Sequence, residues 1–385
     1  MTTSAAGSGS ASDRAAPAAP VAAPDAAPGT AFEPGLVPQH VRAEFAPQTI
    51  YLDTATMGLP PKRTLAALHA ELDRWSRGVS DAAGFDEPVH LARQRYAQLV
   101  GVDPSWVAVG PQVSSFVGLI AASLPSGSEV LTAGEDFTSV LFPFYAQQPR
   151  GVHVREAPLE RLADAVGPDT ALVAVSAAQS ADGRVADLDG LLEATAGTDT
   201  RLLLDTTQAV GWLPVDASRF HYTTGGGYKW LLAPRGTAFL TVHPDLVDEL
   251  LPVAANWYAG EDRWDSVYGA PLRLARDARR FDVSPAWHSW VGQAPSLELL
   301  LEVGTDRLYR HAVGLSRRFQ DAVGLPTHDS AIVAMATDAE VPRLLAQAGI
   351  AAATRAGRLR LAFHVSTTTD EVDRAAEVLD GHVHA

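Results

Sequence analysis

The strongest signal in this sequence comes from two segments, Arg201-Leu-Leu-Leu-Asp205 and Tyr222-Thr-Thr-Gly-Gly-Gly-Tyr-Lys-Trp-Leu-Leu-Ala-Pro-Arg-Gly236. The first is typical of a short apolar strand that ends in a carboxylate. The second surrounds Lys229 with glycine, aromatic and apolar residues. Of the 30 basic residues only Lys62 and Lys229 are lysines, so a lysine in such a stretch is unusual for this chain.

The segments around this pair alternate between apolar strands and helices. Helices are predicted at 61–75, 89–99, 116–124 and 188–195, and strands at 49–53, 106–109, 129–132, 151–154, 170–176, 201–205 and 236–241. This pattern indicates an α/β fold with a mostly parallel sheet between helices. Because ligands bind beyond the carboxyl ends of such strands, Asp205 is expected at the binding edge.

The remainder of the chain predicts two further parts. Residues 1–45 are rich in Ala and Pro and are predicted to be a disordered tail. A long helix near 295–319, strands at 331–335 and 358–363 and a closing helix from 369 predict a smaller α+β domain. We therefore expect a large domain over 46–255 and a small C-terminal domain over 256–385.

Composition excludes several classes of function. Acidic residues number 45 against 30 basic residues, which gives a net charge of −15, so no nucleic-acid partner is expected. Cysteine is absent, which removes disulfides, thiolate metal sites and cysteine nucleophiles, and no metal site is expected. No signal peptide or membrane helix is recognised, so a cytoplasmic location is expected.

Three features have both a structural and a chemical interpretation. Asp205 alone is more typical of a helix cap, and Gln208 lies at a capping distance. Lys229 is either a surface lysine or an amine kept out of water for Schiff-base chemistry, and its setting favours the second. Ser114 and Ser115 follow a predicted strand at a helix start, which suits either an ordinary cap or a phosphate site.

Together the lysine, the carboxylate and the anion site match the needs of pyridoxal phosphate. The chain resembles fold-type-I pyridoxal-phosphate enzymes of the class V aminotransferase and cysteine desulfurase-like family, particularly kynureninase- and isopenicillin N epimerase-like members. The matches extend from Tyr51-Leu-Asp-Thr-Ala-Thr56 to Arg358-Leu-Arg-Leu-Ala-Phe-His-Val-Ser-Thr367. The spacing of Asp205, Gln208 and Lys229 is their most specific part.

The resemblance implies roles for the residues around the cofactor. Lys229 would form its Schiff base, Asp205 would pair with the pyridinium nitrogen, and Gln208 would contact the ring hydroxyl. Ser114, with Ser115 beside it, and Tyr228 would hold the phosphate.

Further roles follow from the same resemblance. Phe137 falls where the family stacks a ring on the cofactor, although a core Phe is nearly as compatible with the sequence. Ser180 would lie near the ring hydroxyl, and Ser284 would reach the phosphate of a second subunit. Arg360 would bind the substrate carboxylate, with Thr56 nearby, unless it is a surface arginine on an edge strand.

The sequence also departs from the family pattern. Gly226-Gly-Tyr-Lys229 replaces Ser-Gly-His-Lys, His221 stands where Asp is usual, and Val365-Ser-Thr367 replaces Tyr-Asn-Thr. A desulfurase needs a cysteine, which this chain lacks. Because transamination is the frequent reaction in the family that the chain resembles, we expect an aminotransferase acting on an amino acid or amine. A β-elimination lyase, an epimerase and a non-catalytic cofactor-binding protein remain the alternatives.

A homodimer with shared active sites is also expected. The resemblance places Ser284 in a loop that crosses to the partner, and five aromatic residues, Trp257, Tyr258, Trp264, Trp287 and Trp290, fall close together in the sequence. Such a density suits an interface or a substrate pocket, with an aromatic core between domains as the alternative.

Overall fold

The computed structural model describes residues 37–384. Most of the predicted tail, residues 1–45, therefore lies outside the described residues. Its last part is ordered, because α1 (Gln39–Arg42) forms there and Val37 and Val41 are buried. The strand predicted at 49–53 is β1 (Ile50–Tyr51), so folded structure begins earlier than the sequence predicted.

The large sheet confirms the predicted α/β architecture. Its seven strands are β2 (Val107–Gly110), β3 (Glu129–Ala133), β4 (His153–Ala157), β5 (Thr170–Ser176), β6 (Arg201–Asp205), β7 (Tyr222–Gly226) and β8 (Ala238–Val242). Their order is β2-β8-β7-β6-β5-β3-β4. Only the pairings of β8 with β2 and β7 are antiparallel, so the sheet is mostly parallel.

Helices cover both faces of this sheet. They are α2 (Lys62–Ser76), α3 (Asp86–Leu99), α4 (Val113–Ser123), α5 (Thr138–Tyr145), α6 (Leu188–Thr195) and α7 (Trp287–Val303). Successive side chains of a strand point to opposite faces of the sheet, so the core has two parts. Leu202 and Leu204 of β6 belong to one apolar cluster and Leu203 belongs to the other. A strand buried on both faces needs this continuous apolar composition.

The last part of the chain forms the predicted α+β unit. It contains α8 (Thr305–Ala322), β9 (Ile332–Thr337), α9 (Val341–Gln347), β10 (Ile350–Ala351), β11 (Ala353–Arg355), β12 (Arg358–Ala362), α10 (Thr369–Leu379) and β13 (Val383–His384). An antiparallel sheet has the order β11-β12-β9-β13, and β1 pairs with β10 in parallel. The domain limits at 255 and 256 stay a prediction.

Three elements differ from the sequence prediction. The helix expected at 295–319 is two helices, α7 and α8, because Gly304 has φ of 85° and ψ of 143°, which ends a helix. The helix α5 was not predicted, since Pro143 interrupts its pattern. The strand β7 was not predicted, because its sequence of one tyrosine, two threonines and two glycines lacks an apolar run. Within residues 37–384, no helix combines the length and apolar character that a bilayer crossing requires.

Candidate active site

The carboxyl ends of three parallel strands place the candidate site. Ser176 at the end of β5 pairs with Asp205 at the end of β6, and Asp205 pairs with Thr224 of β7. Lys229 follows β7 directly. A cavity opens at this edge and contains most of the predicted cofactor-binding residues; its lining includes Ser114, Phe137, Ser180, Asp205, Gln208, Tyr228 and Lys229.

Lys229 is an almost fully buried amine. Its side chain is 6% exposed, and its Nζ lies 5.4 Å from the Phe137 ring centre and 5.7 Å from that of Tyr228. Burial lowers the pKa of Lys229 to about 8, and the negative charge of Asp205 only partly opposes this effect. The amine is therefore deprotonated far more readily than an ordinary lysine, as Schiff-base chemistry requires.

Close packing explains the glycines on the amino side of the lysine. A Cβ at Gly227 would lie 1.9 Å from Gln293 Oε1 and 2.1 Å from Thr237 Oγ1. A Cβ at Gly58 would lie 2.0 Å from the backbone oxygen of Lys229. Only glycine fits these two positions, so the turn that carries Lys229 is locked against α7 and the N-terminal segment.

Asp205 is a buried carboxylate with one uncommitted oxygen. Its Oδ1 accepts a hydrogen bond from the Thr207 N–H at 2.8 Å, while its Oδ2 accepts none from any residue the structure describes. Burial raises the pKa of Asp205 to about 6, and the Thr207 hydrogen bond opposes the shift. This arrangement fits the cofactor, because a protonated pyridine nitrogen would supply the missing partner.

A second buried carboxylate, Asp136, was not predicted. It accepts hydrogen bonds from the N–H and Oγ of Ser176, from the Phe137 N–H and from Gln179 Nε2. These bonds fix the backbone that carries Phe137, whose ring lines the cavity and is 46% exposed. The exposure makes an ordinary core role for Phe137 untenable and leaves the ring free to stack.

Gln208 connects the cavity to the segment around residue 55. Its Nε2 donates to the backbone oxygen of Ala55 at 2.9 Å and to Ser180 Oγ at 3.0 Å. Its Oε1 accepts a hydrogen bond from Trp230 Nε1 at 2.8 Å. The amide is therefore held rigidly, with Ser180 beside it at the cavity wall.

Arg360 lies behind Ser180. It is 1% exposed, so it is not a surface arginine. Its Nη1 donates to the backbone oxygen of Ser180, and its Nη2 donates to Thr56 Oγ1 at 2.8 Å. Asp53 Oδ1 is 3.7 Å away, and Arg360 Nε has no partner among the described residues. The buried guanidinium therefore retains capacity for an anion.

The opposite end of the cavity suits a phosphate. Helix α4 starts at Val113 and has no side-chain cap, so the N–H groups of Val113 and Ser114 are open at the cavity wall, while that of Ser115 donates to the backbone oxygen of Gln112. Arg235 also lines the cavity, with its guanidinium carbon 5.0 Å from the Tyr228 ring centre. Arg235 was not predicted, although it follows Lys229 within the same glycine-bounded segment.

Four predicted site residues do not line this cavity, namely Thr56, Ser115, Ser284 and Arg360. Ser115 is half-buried and lies on α4 beside Ser114 but outside the lining. Ser284 is exposed and is also outside the lining. A role for Ser284 in the cavity of another subunit stays a prediction.

His221 has a structural position. Its Nδ1 accepts the Leu202 N–H at 3.0 Å, at the opposite end of β6 from Asp205. Burial lowers the pKa of His221 to about 4, so the imidazole is neutral at pH 7 and can accept this bond. His221 therefore stabilises the start of β6 away from the candidate site.

Comparisons with known proteins find relatives that cover most of this chain. A family model described as aminotransferase class-V matches residues 50–326. The uncharacterized aminotransferase YcbU of Bacillus subtilis is 28% identical over 312 residues, which cover 76% of this chain and 83% of that protein. Isopenicillin N epimerase of Streptomyces clavuligerus is 28% identical over 336 residues, which cover 75% of this chain and 83% of that protein.

Solved structures share the fold at lower identity. The cystine C–S lyase C-DES, in complex with cysteine persulfide, superposes with a TM-score of 0.78 at 22% identity, covering 86% of this chain and 98% of that one. A second C-DES structure, with a TM-score of 0.79 at 22% identity and coverage of 89% and 99%, has glycine covalently linked to its pyridoxal phosphate. The cysteine desulfurase of Thermococcus onnurineus superposes with a TM-score of 0.78 at 18% identity, covering 89% of this chain and 97% of that one.

Proposed function

The chain belongs to the class V aminotransferase family of pyridoxal-phosphate enzymes, and on that premise we propose that it is an aminotransferase whose amino-acid substrate is processed by Lys229. The observation that carries this proposal is the position of Lys229 as the single amine lining the cavity among the described residues. Its lowered pKa, about 8, suits an amine that attaches the cofactor and then moves the substrate proton.

The surrounding residues supply the electrostatic conditions. When bound, pyridoxal phosphate supplies an electron sink for the α-carbon of an amine. Asp205 faces the cavity with one free oxygen and keeps a protonated nitrogen charged, while Arg235 and the open N–H groups of α4 bind the phosphate. Arg360 binds the substrate carboxylate beyond Ser180.

The ionisable groups favour transamination over inversion. Besides Lys229, the lining includes three such residues, Asp205, Tyr228 and Arg235. Asp205 is committed to the ring nitrogen in this proposal. Burial raises the pKa of the Tyr228 phenol, so that group stays protonated, and an arginine is not a base near pH 7. One base can carry a proton between two carbons of a transamination, whereas two-base inversion requires a second base. The absence of cysteine argues against a desulfurase.

A half-reaction without an amino acceptor tests this proposal. The holoenzyme is mixed with each of a panel of amino acids, and keto acid, ammonia and configuration are measured. An aminotransferase yields one keto acid per active site and no ammonia, and added keto acid restarts turnover. Continuous release of ammonia would identify a lyase, inverted substrate an epimerase, and no product with bound cofactor a non-catalytic protein. Each of these three outcomes contradicts the proposal.

We also propose a homodimer with shared active sites. Trp264 is 46% exposed, Tyr268 86% and Leu272 74%, all in the segment before the exposed Ser284. Part of the predicted aromatic cluster is core instead, because the rings of Tyr258 and Trp290 are buried.

Subunit mixing tests the shared site. Inactive Lys229→Ala and Ser284→Tyr subunits should recover partial activity together, because each mixed dimer holds one intact site. A monomer at micromolar concentration, or no recovery after proven subunit exchange, would rule the arrangement out.

A further inference from the structure

The β11–β12 hairpin presents three arginines on one face. Arg355 pairs with Arg358 across the two strands, and Ala353 pairs with Arg360. Residues paired across strands and residues two apart along a strand share a face. The turn residues Ala356 and Gly357 have φ of 47° and 76°, as in the two-residue turns that fix hairpin register.

Arg355 and Arg360 converge on one hydroxyl. Arg355 Nη2 donates to Thr56 Oγ1 at 3.1 Å, and Arg360 Nη2 donates to the same oxygen at 2.8 Å. Two guanidinium groups that share an acceptor repel each other, and the repulsion is relieved when an anion lies between them or beside both.

The local charge balance leaves Arg355 without a carboxylate. Asp53 is the nearest carboxylate to Arg360, at 3.7 Å, whereas no Asp or Glu of residues 37–384 lies within ion-pair distance of Arg355. The charge of Arg355 is also felt at Lys229, whose pKa it helps to lower. Arg355 is therefore near the candidate site, to which it is joined through the Thr56 hydroxyl that it shares with Arg360.

We propose that Arg355 and Arg360 form a two-anion substrate site, which makes the enzyme selective for dicarboxylic amino acids. The inference rests on the proposed function and deepens it. The buried Arg360, next to Ser180 at the cavity wall, binds the α-carboxylate. The exposed Arg355 lies two residues along β11 from Ala353, the cross-strand partner of Arg360, and binds the acidic group of the substrate side chain. Thr56 accepts a hydrogen bond from each guanidinium group and so fixes their relative position.

Arg358 provides a matched control. It lies on the same hairpin and is exposed like Arg355. No side-chain hydrogen bond or ion pair joins its guanidinium group to Thr56, Asp53 or any other residue of the described chain. Replacing Arg358 removes the same charge from the neighbouring cross-strand position and leaves the hydrogen bonds of Arg355 and Arg360 to Thr56 in place.

Binding of unreactive ligands tests the inference independently of turnover. Titration calorimetry measures the affinity of the holoenzyme for succinate and for its monoamide, succinamate, which lacks one charge. We expect the wild-type protein to bind succinate about tenfold more tightly than succinamate. Arg355→Gln should abolish this preference, and Arg358→Gln should keep it. Arg360→Gln should lower the affinity for both ligands.

The outcomes separate this inference from the proposed function. Equal binding of both ligands by the wild type, or an unchanged preference in Arg355→Gln, would overturn the two-anion site. Loss of the preference in Arg358→Gln to the same extent would also overturn it, because a general surface charge would then explain the selectivity. None of these results depends on whether the half-reaction yields keto acid, so failure of the aminotransferase proposal would be seen separately.

Discussion

Two buried carboxylates at the large sheet, Asp282 and Asp205, differ in the hydrogen bonds and charges that compensate for their burial. Asp282, beside β2, accepts hydrogen bonds from Arg93 Nη2 at 2.6 Å, from Arg93 Nη1 at 3.2 Å and from the Val109 N–H at 2.9 Å. Asp205, at the end of β6, accepts one hydrogen bond, from Thr207. Burial raises the pKa of both carboxyls, but only Asp282 has an adjacent arginine that opposes the shift.

The difference separates structural from functional burial. A buried charge is stable when a partner of opposite charge and hydrogen bonds compensate for lost hydration. Asp282 meets that condition within the chain and therefore stabilises the fold. Asp205 meets it only in part, through Thr207 and the nearby charge of Lys229, so its environment favours a further cation, which the ring nitrogen of the cofactor would supply.

The largest effect is expected when the charge of Asp205 is removed. Asp205→Asn keeps an acceptor for the Thr207 N–H but loses the negative charge, so turnover should fall about a thousandfold. The free energy of unfolding should not fall, because the side-chain shape is kept and a neutral amide is less costly to bury than a carboxylate. Steady-state kinetics and urea unfolding measure both quantities. Near-normal turnover would instead assign Asp205 to capping.

Asp282 should show the opposite pattern. Asp282→Ala leaves Arg93 buried without its partner and should lower the free energy of unfolding by about 3–5 kcal/mol. Turnover per folded molecule should be largely retained. The double variant Arg93→Met, Asp282→Leu removes both charges and should recover most of the stability. If the double variant is as unstable as Asp282→Ala, an unpaired charge is not the cause.

The pH dependence of stability should sharpen the contrast in the cofactor-free protein. Since the folded-state pKa of Asp205 is about 6, above its usual value, the folded state binds more protons between pH 4 and 6. Its stability should therefore fall as pH rises through this window, by about 3 kcal/mol from this group. For Asp205→Asn, the free energy of unfolding measured in urea should lack this part of its pH dependence. Parallel curves for the two proteins would contradict the raised pKa.

The sequence predicted residues that line the cavity better than the buried side chains that hold the surrounding fold in place. Asp205 and Lys229 could be recognised because an apolar strand and a glycine-rich turn lie close together in the chain. The Arg93–Asp282 pair could not, since its partners are 189 residues apart and are joined only by the fold. Asp136 was missed for a similar reason, because its partners Ser176 and Gln179 lie 40 and 43 residues further along the chain.

Position along a helix was equally hard to predict. Ser114 and Ser115 are neighbours in the sequence, yet the helix turns only Ser114 toward the cavity. The break at Gly304 depends on a backbone conformation that a helical apolar pattern does not reveal. Periodicity thus predicted most strands and helices of the large domain but missed α5 and β7, and the direction of single side chains required the structure.

The central claim is that Lys229 carries the cofactor, and the presence of only one other lysine makes it directly testable. The holoenzyme is reduced with borohydride, digested and mapped by mass spectrometry. The phosphopyridoxyl mass should appear on the peptide that contains Lys229 and not on the one that contains Lys62, whose Nζ donates to the backbone oxygen of Ala43. Label on Lys62 alone, or no label on a protein saturated with pyridoxal phosphate, would contradict the claim.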